Sequence, residues 1–305
     1  MIKHILITLV AILICTLSKA QNTLAEYHYE ADGVTDVFVT GSFCDVAVTV
    51  GDQLRFDGII EGSGNEGDYL ITSIKNGGTV IFKVEKNTKM VRAWEHVRKA
   101  QFDIEVPPNV NLTIDNSSGD VSVIGVEGDN HKIETTSGDL NLENMIGALT
   151  GRSTSGDISV TRLKGNIQMN ATSGDQYLSG IAGDIDTKST SGNIEIKDLK
   201  GDLTAQATSG DIEMDEISGK LNLKTTSGNI EGNEIEMLGD SKARATSGDI
   251  ELIFANDLEE ISFDLDASSG DLEVGDFSSE DRLVIQRGEI QYRGYTTSGS
   301  QTYRN

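Results

Sequence analysis

The stretch STSGNIEIKDLKGDLTAQATSGDIEM, residues 189–214, decides the fold. Within it Thr-Ser-Gly-Asn-Ile at 190–194 returns as Thr-Ser-Gly-Asp-Ile at 208–212, eighteen residues later. Read outward in both directions, Ser-Gly followed by Asp or Asn occurs nine times in register. Its glycines are Gly119, Gly138, Gly156, Gly174, Gly192, Gly210, Gly228, Gly248 and Gly270, spaced by 19, 18, 18, 18, 18, 18, 20 and 22 residues. So regular a period marks one structural unit stacked on copies of itself. A second glycine follows nine residues after most of these, at Gly128, Gly147, Gly165, Gly183, Gly201 and Gly219. Each unit therefore holds two extended halves separated by two corners.

Eighteen residues also make five turns of α-helix, and helix fails. Twenty glycines lie between Gly119 and Gly270 inclusive, each costing roughly 1 kcal/mol in a helix interior. The local pattern alternates with period two, as in Ile158-Ser159-Val160 and Ile194-Glu195-Ile196, which is the strand signature. An even repeat returns each position to the same side of the sheet on the next coil. Ile158, Ile194, Ile212, Ile230 and Ile250 then form one inward column, and Val160, Ile196, Met214, Leu252 and Val274 a second. Leu163, Ile181, Leu199 and Ile217 point in from the corner, and Ile167, Ile185, Leu203 and Leu221 come from the other half. The fold class expected is all-β, a parallel β-solenoid of about 18-residue coils with an N-terminal β cap. At Ser-Gly-Asp, glycine supplies positive φ and the Asp, Asn or Ser side chain bonds back to the turn.

The remaining chain divides around these repeats. Residues 1–20 read as a secretory signal peptide: Lys3, an apolar run from Ile5 to Leu17, and the small-x-small site Ser18-Lys19-Ala20. Residues 21–112 lack the period but read as strands, a β module capping the first coil, with Pro107-Pro108 at the join. Residues 113–279 are the solenoid repeats, and 280–305 are closing strands, with Thr296–Asn305 a frayed tail. Glu234–Met237 and Ala255–Asp264 are read as insertions that lengthen two coils. Gln176-Tyr177-Leu178 and Gly232 break the inward pattern.

Of 305 residues, 25 are Lys or Arg and 49 are Asp or Glu, for a net charge of −24. An acidic surface of that size repels nucleic acid and anionic membrane. Removal of 1–20 leaves Cys44 as the one cysteine, so no intrachain disulfide is available. No second apolar stretch reaches membrane length, so no membrane span is expected after signal cleavage. The localisation expected is export, to the periplasm, the outer surface or the medium.

The run Val106-Pro107-Pro108-Asn109-Val110, leading into Ser117-Ser118-Gly119-Asp120-Val121 and the Thr-Ser-Gly-Asp/Asn-Ile repeats beyond it, resembles a family of secreted bacterial β-strand-repeat proteins catalogued as putative adhesins. The likeness spans roughly residues 30–295. It implies a fold and an envelope location, and it brings no catalytic residues.

Catalytic chemistry finds no foothold in the sequence. His28, His96 and His131 are far apart, no serine sits in a G-x-S-x-G elbow, and one cysteine without paired histidines makes no zinc site. The acids recur coil after coil at turns, whereas a glycan-cleaving carboxylate pair is a local exception. No cofactor is expected. The full nonapeptide of a calcium roll never occurs, which disfavours a buried calcium ladder; a second place for divalent cations, or for a basic partner, is the outward stripe Glu195, Glu213, Glu231, Glu251 and Glu273. The preferred reading of that stripe is a solvated face softened by Lys188, Lys224 and Arg244. A basic cluster, Lys86, Lys89, Arg92, Arg98 and Lys99 around Trp94, reads as a solvated loop. The function expected is a non-enzymatic secreted or cell-surface scaffold that binds a surface glycan or a protein. The alternatives are a periplasmic envelope-stress or scaffold component acting through a protein partner, and a glycan-active enzyme.

Overall fold

A computed structural model describes residues 22–87 and 97–305. The leader expected at 1–20, with Lys89, Arg92, Trp94 and His96, lies outside them. The described residues are almost entirely strand and turn, with one 3-10 turn at Leu258–Glu260. No helix among them is long and apolar enough to cross a membrane.

Two parallel ladders run the length of the molecule. One contains Ile158–Lys164, Gln176–Ala182, Ile194–Lys200 and Ile212–Gly219; the other contains Ile167–Ser173, Ile185–Ser191, Leu203–Ser209 and Leu221–Ser227. Ile194 opposes Gln176 on one side and Ile212 on the other, and Leu203 opposes Ile185 and Leu221, so the offset is eighteen residues. The chain alternates between ladders at each glycine corner, which makes the all-β parallel solenoid. The inward columns read from the sequence are buried, including Ile194, Ile196, Leu199 and Leu203. Burying each such side chain stabilises by about 1.5–3 kcal/mol.

The Ser-Gly-Asp corner keeps its backbone bonded throughout. Gly192 N donates to Ser209 O at 3.1 Å and Ile194 N to Asp211 O at 2.9 Å. The Asn193 N–H between them points the other way and is met by a side chain, Asp175 Oδ1, at 2.7 Å. Asp211 N repeats this on Asn193 Oδ1 at 3.0 Å and Asn229 N on Asp211 Oδ1 at 2.7 Å. The position needs a short side chain with an acceptor oxygen, which Asp and Asn share. Glycine is fixed beside it on two counts. Gly192 has φ 139°, and a Cβ there would lie 2.2 Å from the carbonyl oxygen of Gly174.

A third bend was hidden from the sequence because all but one of its residues are not glycines. Asn144, Arg162, Asp198, Glu216 and Glu234 all have φ between 47° and 57°, and Gly180 stands in the same column at 67°. One left-handed residue per coil turns the strand so that Leu163, Leu199 and Ile217 enter the core from the corner.

The ends depart from the sequence reading. Ile290–Ser298 and Gln301–Arg304 form a full coil, not a frayed tail, and Tyr292, Gln301 and Tyr303 are buried. This coil lies between two that precede it in sequence. Ser241–Ser247 pairs with it on one side and Ile261–Ala267 on the other. Ser298-Gly299-Ser300 thus occupies the corner column between Gly248 and Gly270. The segment from Ala255 to Glu260 is accordingly a crossover that climbs past this inserted coil, about 9.6 Å over two strand spacings, and not a lengthened coil. Glu234–Met237 is no insertion either, since Ile235 and Met237 keep the register with Ile217 and Gly219. The two extra residues fall at the next corner, Leu238–Asp240, after which the offset becomes twenty.

The N-terminal region mirrors this arrangement. Asp36–Ser42 lies between Thr79–Lys86 and Asn111–Ser118, and Asp45–Val50 between Val97–Val106 and Val121–Ile124. Residues 36–50 are therefore a coil of the stack, and the ladders run unbroken across the boundary drawn at 112/113. Cys44-Asp45-Val46 stands in the corner column, with Asp120 N donating to Asp45 Oδ1 at 3.0 Å. Cys44 is buried, and burial pushes its thiol pKa up to about 12, so it is an inert core residue. Antiparallel strands border both ends. Tyr69–Asn76 pairs with Thr79–Lys86, Leu54–Gly62 with Val97–Val106, and Asn22–Ala31 with Leu54–Gly62. At the other end Arg282–Ile285 and Phe277–Ser279 do the same. Aromatic rings fill both ends: Phe56 between Phe82 and Phe102, and Phe254, Phe263, Tyr292 and Tyr303.

The breaks in the inward pattern are compensated locally. Gln176 takes an isoleucine's place in the core. Its amide donates to Lys188 O at 2.8 Å and its oxygen accepts from Thr187 Oγ1 at 2.5 Å. Gly232 leaves room that Leu252 and Ile235 occupy, and a Cβ there would lie 2.7 Å from Leu252 Cδ2.

Candidate functional site: two outward sheet faces

Each ladder turns one set of side chains inward and the alternate set to solvent. Outward residues therefore line up in columns, one per coil, at about 4.8 Å. The molecule offers two such faces, and they carry opposite charge.

The first face bears the glutamate stripe. Glu195, Glu213, Glu231 and Glu251 are direct neighbours in consecutive coils. Glu273 is not adjacent to them: the inserted coil places Thr302 between Glu251 and Glu273. Three cations of this ladder are engaged, while Lys164 and Lys200 at its strand ends are exposed and make no ion pair among the described residues. Lys197 Nζ lies 2.5 Å from Glu195, Arg304 pairs with Glu251 and Arg162 with Glu143. Glu213 is left between Glu195 and Glu231, and partial burial and those two carboxylates raise its pKa. The stripe is a line of separate rungs and does not converge on a point. Among the described residues no group of three or more His, Cys, Asp or Glu is arranged to hold a metal ion.

Lys188, Lys224 and Arg244 do not soften this stripe. They belong to the other ladder, in Ile185–Ser191, Leu221–Ser227 and Ser241–Ser247. Sequence parity placed them outward, but it did not say on which side of the core. There they join one column: Arg152, Asn170, Lys188, Gln206, Lys224 and Arg244. Arg152, Lys224, Lys242 and Arg293 are exposed and make no ion pair among the described residues. Arg244 stacks on the Tyr295 ring, 4.5 Å from its centre. Beside the stretch of this column from Arg152 to Gln206 runs an open groove that Thr172, Thr190 and Thr208 also line, and Lys224 and Arg244 line a second one with Lys242 and Arg293.

The histidines stand apart. His28 is exposed at the N-terminal end, where bonds to Asp57 and Glu26 raise its pKa. His131 is buried in the column between Leu112 and Leu149. Its Nε2 donates to Ile146 O at 3.0 Å, so Nδ1 carries the lone pair, and Nδ1 has no partner. Burial lowers the pKa, partly offset by that bond. Of the basic cluster, Lys86 lies over Tyr69 at 5.9 Å, and Arg98 and Lys99 fall in the strand Val97–Val106.

The model of the Toastrack DUF4097 family matches residues 39–215 and again 148–303. No curated protein matches the chain. Among solved structures, one described as a "putative adhesin" from Bacteroides fragilis NCTC 9343 is 14% identical, with 94% of this chain and 98% of that one covered and a TM-score of 0.45. A "putative lipid binding protein" from Parabacteroides distasonis ATCC 8503 is 11% identical over 93% and 97%, with a TM-score of 0.33. A "putative cell adhesion protein" from Clostridium sporogenes ATCC 15579 is 10% identical over 93% and 99%, with a TM-score of 0.23.

Proposed function

The chain belongs to the Toastrack DUF4097 family, and on that architecture we propose that it is an exported, non-enzymatic scaffold of the cell envelope that binds a surface glycan or a protein along its outward faces. The observation that carries this reading is the persistence of the columns. The cation and amide column keeps its place through six coils, Arg152 to Arg244, and the glutamates theirs through four, Glu195 to Glu251. Each rung is hydrogen-bonded to the rungs above and below, so the side chains are held at fixed intervals before any ligand arrives. Pre-ordered surfaces of this kind lose little entropy on binding. The arrangement suits an extended ligand with repeating groups better than a small substrate.

The test immobilises residues 21–305 and presents a glycan array and, separately, envelope extract. Retention of a glycan or protein without change to it is the expected result. Release of shortened glycan products would overturn the non-enzymatic reading. Protease treatment of intact cells addresses location. Degradation places the scaffold outside the outer membrane, and survival places it in the periplasm, acting through a partner there.

A further inference from the structure

The face opposite the glutamate stripe carries a spacing that selects among ligands. From Arg152 to Lys224 the column alternates cation, amide, cation, amide, cation: Arg152, Asn170, Lys188, Gln206, Lys224. Positive charge therefore recurs at every second coil, about 9.6 Å apart. The amides between can donate and accept, and the threonine hydroxyls lining the groove can do both as well. Beyond Lys224 the charge thickens, with Lys242, Arg244 and Arg293 in the next two coils, and ends at Asp264 and Asp266.

These cations are available. Arg152 and Lys224 have no ion pair among the described residues, and Lys188 has only Asp186 at 3.9 Å. The other carboxylates of the face are held at its two ends. Lys132 lies 2.6 Å from Glu134, and Arg282 lies 3.1 Å from Asp264 and 3.9 Å from Asp266. On the opposite face Arg162, Lys197 and Arg304 are each paired with a glutamate. In a chain of net charge −24, Arg152, Lys188 and Lys224 thus stand in register as a strip of largely unneutralised positive charge.

We propose that this groove binds a linear acidic polysaccharide laid along the solenoid axis, one carboxylate or sulfate of each disaccharide seated at every second coil. The inference rests on the scaffold reading above and names its ligand class. Two coils span about one extended disaccharide. Hydroxyls and amides that line the groove between charges match the sugar hydroxyls between acidic groups. A second copy of this chain fits less well. Its glutamates come at every coil, so half of them would face Asn170 or Gln206. Polyphosphate likewise carries charge on every monomer. Each exposed contact is weak, and affinity accumulates with the number of disaccharides engaged.

The test titrates residues 21–305 with a soluble polysaccharide bearing one glucuronate per disaccharide, with its neutral counterpart, and with polyphosphate, at low and physiological salt. Two variants accompany it. One joins Arg152→Gln, Lys188→Gln, Lys224→Gln and Arg244→Gln; the other joins Glu213→Gln and Glu231→Gln. All six positions are exposed, and circular dichroism verifies the fold. The expected result is binding of the acidic polysaccharide that weakens with salt, falls about tenfold or more in the first variant and persists in the second. Longer chains should bind more tightly. Equal binding of polyphosphate overturns the proposal, as does dimerisation abolished by either variant. Retention of neutral glycans or a protein alone, unaffected by the first variant, overturns it while leaving the scaffold reading intact. Cleavage of the polysaccharide would overturn that reading instead.

Discussion

The backbone nitrogen of Gly248 donates to the carbonyl oxygen of Ser298 at 3.0 Å, across fifty residues of sequence. Its equivalents lower in the stack bond to the very next coil, as Gly210 does to Ser227. The last coil of the chain has taken the place of the next one. Truncation after Gly288 should therefore do more than shorten a tail. It removes the strands that pair with Ser241–Ser247, Ile250–Phe254, Ile261–Ala267 and Leu272–Val274. We expect this truncation to aggregate through exposed strand edges and to be cut rapidly within 255–288, measured by light scattering and limited proteolysis. Deletion of the outermost ribbon, residues 22–31, should be far milder.

The corner glycines make a second prediction. Gly192→Ala combines an unfavourable φ with a collision against backbone, since the Gly174 carbonyl cannot swing aside without breaking the ladder. It should cost more than roughly 1–3 kcal/mol, read as a lowered urea midpoint. Gly33→Ala is the control, because φ is 65° but nothing lies within 4 Å of the added carbon. That change should cost only about 1–2 kcal/mol.

His131 gives the pH dependence a sign. Its pKa is lowered in the folded chain by burial, so as pH falls through the ordinary imidazole value the unfolded chain takes up a proton that the folded chain refuses. Stability contributed by neutral His131 is present above that value and declines below it. His131→Leu, matching Leu112 and Leu149 in its column, should flatten the urea midpoint between pH 7 and 5 relative to wild type. His28, whose pKa is raised, acts in the opposite sense and is common to both proteins. An unchanged slope would remove His131 from this account.

Glu213 lies between two carboxylates, and its raised pKa means that ionisation is disfavoured in the folded chain. Glu213→Gln should stabilise at pH 7 by a few tenths of a kcal/mol. The gain should shrink in high salt. It should also vanish as acid protonates the wild-type side chain. Thermal unfolding at two salt concentrations and two pH values checks all three.

The middle of the molecule was legible because repetition is a statement about space. Ile194, Ile212 and Ile230 stack for the reason that their positions differ by an even number. The ends were not legible because there the order along the axis and the order along the chain part company. Ser298-Gly299-Ser300 has the corner's form, but it follows Gly270 by 29 residues, off the eighteen-residue period, and lies in the stretch read as a frayed tail. Cys44-Asp45-Val46 lacks the glycine altogether. Asn144, Arg162 and Asp198 hold left-handed bends without the residue that ordinarily announces them. Alternation also predicted that Glu195 and Lys188 both face solvent. It could not tell that the core lies between them, and on that separation the charge of the two faces depends.

Because the second coil from either end, residues 36–50 and 290–304, is bracketed by coils from its own end of the stack, each closure makes no demand on the number of coils between. An in-frame loss or gain of eighteen residues in the middle changes the molecule's reach by one step of about 4.8 Å. Length is thus a quantity this architecture can adjust like the notches of a ruler, without rebuilding either end.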